Sequence, residues 1–140
     1  MTTHNPGSRD WLVQVQEAII DPEREIVDPH HHLWRERRWF PYLLEDLWTD
    51  TGSGHNVKKT VFVQCRASYR TAGPEHLKPV GETEFVAEIA QDSQKGADNQ
   101  ARIAGIVAHA NLTLGDLVEE ILDAHAEAGR GLFRGIRHAG

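Results

Sequence analysis

Two kinds of hydrophobic patterning alternate along the chain. Four short segments read as strands, one starting at Ile26, then Lys59 to Cys65, Arg102 to Ala110 and Leu132 to His138, the second and third of them almost continuous apolar runs. Runs of this length, rich in β-branched residues, suit strands buried on both faces, as in parallel sheets. Between them lie segments whose apolar positions recur at helical spacing. One runs from Trp11 to about Ile20 with Leu12, Val15, Ala18 and Ile19 on a stripe and Asp10 as its cap. A short one covers Leu43 to about Asp50, and a longer one covers Glu82 to Gln94 with Phe85, Val86, Ile89 and Ala90 on one face. In the last, Thr113 and Asp116 make a capping-box-like start, Leu114, Leu117, Val118, Ile121, Leu122 and His125 share a face, and Gly129 suits the C-terminal cap. His125 on that stripe reads as packed at the helix edge.

Strands that alternate with helices four times imply parallel strands joined by right-handed crossovers. The polar residues His30, His32, Gln64, His109, Arg137 and His138 all fall at the C-terminal ends of these strands. That rim is where α/β enzymes place their chemistry. Two loops extend it. Arg66 to Lys78 is longer than the usual two to six or so residues of a βα connection and carries Arg66, Tyr69, Arg70 and His76. It reads as a binding loop or as an irregular surface excursion. Arg35 to Tyr42 is dense in arginine and aromatics: either a lid over an anionic substrate or a solvated loop with its rings on the scaffold. His109 either lines the site or serves as a hydrogen-bonded structural residue.

The first strand ends in Val27-Asp28-Pro29-His30-His31-His32. Alternation puts His30 and His32 on one face, about 6–7 Å apart along the strand, with His31 on the other. Imidazoles reaching inward from there can touch one ion at about 2.0–2.1 Å. Asp28 shares the face and is placed to orient a ligand histidine or to interact with the ion. A tag remnant would have more histidines and sit at the terminus.

Asp-x-His-x-His at the end of a first barrel strand resembles the signature of the amidohydrolase superfamily, and Val27 to Trp34 looks like its amidohydrolase-related branch of lactonases and decarboxylases. Further stretches in the same order resemble that branch: Tyr42 to Leu47, Gly54 to Val57, Thr60 to Cys65, Pro79 to Val86 and Arg134 to His138. The resemblance covers Ile26 to the end and implies a TIM-type (β/α)8 barrel, of which four βα units, the N-terminal half, are present. Residues 1–25 then form a lead with a short helix, and 26–140 an incomplete barrel domain. A complete open sheet of flavodoxin type is the rival architecture. The resemblance further implies hydrolysis of an ester or amide, most plausibly a lactone of a sugar acid or dicarboxylate, with decarboxylation of an aromatic acid as a related reaction. His30 and His32 would hold zinc or manganese, although some members of the branch work without metal. Arg137, with His138 second, would contact a carboxylate or lactone oxygen, together with Arg66, Tyr69 and His109. A further histidine and a catalytic aspartate belong to later strands. The non-enzymatic alternative is an inactive half-barrel, or a subunit that self-associates or takes a partner to complete the barrel.

The totals narrow this little. The 140 residues suffice for one modest domain, and 39% hydrophobic with 26% charged residues is an ordinary soluble composition. A net charge of −6 with no basic face argues against nucleic acid as a partner. No apolar run approaches a membrane span of about 18–20 residues. A single cysteine, Cys65, excludes an internal disulfide and fits a reducing, cytoplasmic setting.

Overall fold

The computed structural model describes residues 8–35 and 40–138. Strands β1 (Glu25–His31), β2 (Asn56–Val63), β3 (Arg102–His109) and β4 (Phe133–Arg137) form one parallel sheet in the order β1-β2-β3-β4. Helix α1 (Arg9–Leu12) precedes the sheet, and α2 (Leu44–Thr51), α3 (Val80–Ser93) and α4 (Leu117–Ala128) connect successive strands. The α/β alternation expected from the patterning is therefore present. Each strand pairs only with its neighbours in sequence. A doubly wound sheet reverses strand order at a switch point, and no reversal occurs here, which removes the flavodoxin-type alternative.

The core lies under the sheet's helical face. Phe62 of β2 and Ile103 and Ile106 of β3 meet Leu47 of α2, Phe85 and Val86 of α3, and Leu33 from the loop after β1. Each such side chain contributes about 1.5–3 kcal/mol on burial. Polar ties fix the helices to the strands. The Trp48 indole donates to the Ala101 carbonyl at 2.9 Å, and the Ser93 hydroxyl accepts from the Ile103 amide at 3.1 Å.

Three local expectations give way. The helix anticipated from Trp11 to Ile20 stops at Leu12. Leu12, Val15 and Ala18 of that stripe are exposed and Ile19 is only partly covered, beside Gly54, and short helices depend on packing for stability. Ser8, not Asp10, caps it, accepting from the Trp11 amide at 3.3 Å. Before α4, the Asn111 side chain accepts from the Thr113 amide and caps a 3-10 turn at Leu112–Leu114. Gly115, with a φ of 59°, then redirects the chain into the helix. Finally, His125 is not at a helix edge. It is completely buried, accepts from the Thr83 hydroxyl at 2.8 Å, donates to the His109 carbonyl at 2.9 Å, and stacks on Phe133. Among the described residues no helix is long and apolar enough to cross a membrane.

Candidate functional site

At the end of β1 the pleat separates the three histidines. His31 turns into the core, 7% exposed, with one ring nitrogen 3.0 Å from the Thr60 hydroxyl and Nδ1 buried with no hydrogen-bond partner among the described residues. Burial holds its pKa down at about 4. His30 and His32 turn the other way, and their Nε2 atoms stand 3.3 Å apart with the rings edge to face. The His32 Nδ1–H donates to the Val63 carbonyl at 2.7 Å, which leaves Nε2 as the basic nitrogen of the neutral ring.

Asp28 does not complete this pair. Pro29 interrupts the alternation, and the β1–β2 register slips between Asp28 and His31. Proline is tolerated there because β1 is an edge strand. The Asp28 carboxylate accepts from the backbone amide of His30 at 3.0 Å and lines a surface groove beside Asp50 and Thr51.

The ends of β2, β3 and β4 enclose a cavity of about 630 Å³ whose walls include Gln64, Cys65, Arg66, His109, Arg137 and His138. The structure thus brings together four of the residues anticipated from sequence: Arg66, His109, Arg137 and His138. His30 and His32 are not among its lining residues. They connect to it through Val63, whose neighbour Gln64 is 7% exposed and organises the cavity wall. Arg137 donates through Nε to the Gln64 side-chain oxygen at 3.2 Å and through Nη2 to the Gln64 carbonyl. The Gln64 amide in turn donates to the Tyr69 hydroxyl at 3.0 Å. Part of the Arg137 donor set, read from sequence as free for substrate, is therefore committed to Gln64. His109 donates from Nδ1 to the Arg137 carbonyl at 3.1 Å, and His138 Nδ1 accepts from the Leu112 amide at 3.2 Å. Both rings are held by the backbone, 5.5 Å apart and edge to face.

The loop after β2 is fixed by a residue that the sequence did not single out. Glu82, on the first turn of α3, is 2% exposed, and its Oε1 accepts from the amides of Cys65 at 3.1 Å and Ala67 at 2.6 Å. Between those amides Arg66 adopts a φ of 66°, a left-handed conformation unusual for a residue with a side chain. Gly81 allows the close packing this needs: a Cβ there would stand 2.6 Å from the Arg70 amide nitrogen and 2.7 Å from the Ser68 carbonyl. Among the described residues Arg66 makes no ion pair. Burial raises the Glu82 pKa above the usual carboxylate range, and burial and the Glu82 charge push the Cys65 thiol up to about 11.

Of the arginine-rich loop, Arg35 lies over the Phe85 ring at 4.9 Å and 3.9 Å from the Glu88 carboxylate, against α3 rather than at the rim. A two-stranded bridge between Trp34 and Tyr42 closes the loop's base. Residues 36–39, which carry the rest of the lid reading, fall outside the described residues.

The histidine pair fits a metal in one respect. Two nitrogens bound tetrahedrally at about 2.0–2.1 Å stand roughly 3.3–3.4 Å apart, and the two Nε2 atoms are 3.3 Å apart. The pair is two ligands, however. Among the described residues no group of three or more His, Cys, Asp or Glu is placed to hold an ion.

Comparison with known proteins adds a relative without assigning a function. The chain is 28% identical over 127 residues to the uncharacterized protein y4mH of Sinorhizobium fredii. The match takes in 81% of this chain and 39% of that protein, so the chain spans about two-fifths of the relative's length. No family model and no solved structure matches.

Proposed function

We propose that this chain is the metal-binding half of a barrel hydrolase, with a lactone or similar cyclic ester as substrate. The observation that carries the reading is the convergence of the His30 and His32 Nε2 atoms at the C-terminal rim of a parallel sheet whose strand order never reverses. Sequential order is what one arc of a (β/α)8 barrel requires. The motif resemblance over Ile26 to His138 supports the same assignment.

His30 and His32 would hold zinc or manganese, which supplies carbonyl polarisation and a water of lowered pKa. The chain's own contribution is orientation and charge. The Val63 carbonyl fixes the His32 ring so that Nε2 faces His30. Arg66 lines the cavity with no ion pair among the described residues, and Arg137, braced by Gln64, adds a second positive group. Together they suit a substrate bearing a carboxylate. The proton of the attacking water would go to a carboxylate that the resemblance places on a later strand.

Equilibrium dialysis against zinc and manganese tests the metal part. About one ion per chain is expected, bound weakly because a catalytic zinc site takes three protein ligands, and lost in His30→Ala and His32→Ala. Equal uptake by wild type and both variants would end this reading. Sugar lactones offered to the zinc-loaded chain alone should show no turnover; robust turnover abolished by His30→Ala would place the whole reaction in these residues.

A further inference from the structure

Beside the cavity just described lies a second one of about 510 Å³, between the loop after β2 and the start of α4. Arg66 and His109 belong to the walls of both. The two differ in chemistry. The first is walled by amide, imidazole and guanidinium groups. The second sets the Tyr69 ring, Pro79, Leu114 and Leu117 against one another. Its remaining charges are already satisfied: Lys78 pairs with Glu75 at 2.5 Å, and His76 meets Glu120 at 3.1 Å. Arg66 alone among its cations makes no ion pair within the described residues. Tyr69 is anchored through its hydroxyl, which accepts from Gln64. Two of the loop residues that line the hollow are therefore held in place, Tyr69 by Gln64 and the Arg66 backbone by Glu82. Leu117 is 47% exposed although it opens an amphipathic helix, so apolar surface is left uncovered inside a concave site.

A pocket of this size, with an apolar patch of Tyr69, Pro79, Leu114 and Leu117 beside the Arg66 cation, suits the body of a small amphiphile. We propose that it is a subsite for the non-reacting part of the ligand, and that the ligand is a carboxylate carrying an apolar chain or ring. The carboxylate pairs with Arg66, and the apolar part rests on Tyr69, Pro79, Leu114 and Leu117. This rests on the adjoining cavity being the substrate site, and it narrows the substrate class toward carboxylates that also carry an apolar chain or ring.

The test compares butyrate with 4-phenylbutyrate, which share a carboxylate and differ in a ring, by calorimetric titration of the whole chain in the presence of a chelator. The ring-bearing acid should bind at least about tenfold more tightly. Leu117→Asn should remove that preference, and Arg66→Ala should weaken both. Leu114→Asn provides a second variant should the first fail to fold. Equal affinities, no binding of either acid, or a preference that survives both asparagine variants would overturn the subsite. The chelator separates the outcomes: zinc uptake by His30 and His32 with no ring preference sinks this inference alone, whereas ring preference without zinc uptake sinks the metal reading alone.

Discussion

The His32 Nδ1–H donates to the carbonyl of Val63 at 2.7 Å, so the end of β1 is pinned to the end of β2 through a side chain. The bond sets the tautomer of His32 and thereby which nitrogen meets His30. It also passes the position of the histidine pair to Gln64, the next residue, and so to Arg137.

The three neighbouring histidines should separate cleanly under mutation. His32→Ala should lose zinc at a modest cost of about 1–2 kcal/mol, since the half-buried hydrogen bond to the Val63 carbonyl goes with the ring. His31→Ala should keep zinc and lose about 2–4 kcal/mol, because it empties a core position and strands the Thr60 hydroxyl. Urea unfolding beside metal analysis of both variants measures the contrast; zinc loss in His31→Ala with stability intact would reverse the assignment of faces.

Acid should destabilise the fold through its buried histidines. His31 is kept neutral by burial, with a pKa lowered from 6.5 to about 4, and burial also lowers that of His125. The unfolded chain therefore takes up protons first as the pH falls below 6.5. Stability is complete above that value and is lost as pH drops toward 4, with about 3 kcal/mol at stake for His31. Glu82 acts with the opposite sign: burial raises its pKa above 4.5, so its contribution falls as pH rises through that region. We expect a net loss on acidification, led by His31. Urea midpoints at pH 7.5 and 5.5, taken with a chelator, should show it, and His31→Gln should flatten the slope.

The strands were readable because continuous apolar runs such as Val61 to Val63 have few other uses in a short soluble chain. The facing of His30 and His32 followed from the pleat. What failed was any inference that needed a partner distant in sequence. The Trp11–Ile20 stripe has helical spacing, but spacing cannot say whether a surface waits to cover it. Asp28 obeys the alternation on paper, and Pro29 breaks it in space. His125 lay on an apolar stripe, yet its burial depends on Thr83 and on the His109 carbonyl, which another helix and a strand supply. Gln64 was visible as a polar residue at a strand end, but its bonds to Arg137 and Tyr69 were not.

Cys65 should be a slow nucleophile in the folded chain. Burial and the nearby Glu82 charge raise its pKa from 9.0 to about 11, and its thiol lies 3.6 Å from the Leu33 carbonyl. A two-unit rise leaves about a hundredfold less thiolate at pH 8. Labelling with a disulfide reagent should therefore be about a hundred times slower in buffer than in urea. Comparable rates in the two would mean that the wall around Gln64 and Cys65 opens readily.

Glu82 should matter more for the shape of the loop than for its charge. Both amides it accepts, Cys65 and Ala67, bond to one oxygen, Oε1. Glu82→Gln keeps an oxygen at that place and removes a carboxylate that burial already disfavours, so the cost should stay near 1 kcal/mol. Glu82→Ala leaves two half-buried donors unpaired and should cost more, about 2–4 kcal/mol. The two variants should also part in anion binding. Arg66 sits in a left-handed conformation between the two clamped amides, and without the clamp nothing offsets the strain of holding it there. Glu82→Ala should therefore weaken butyrate binding about as far as Arg66→Ala does, while Glu82→Gln binds nearly as wild type. Should Glu82→Ala remain folded and keep full affinity, Arg66 owes its place to something other than the carboxylate beneath it.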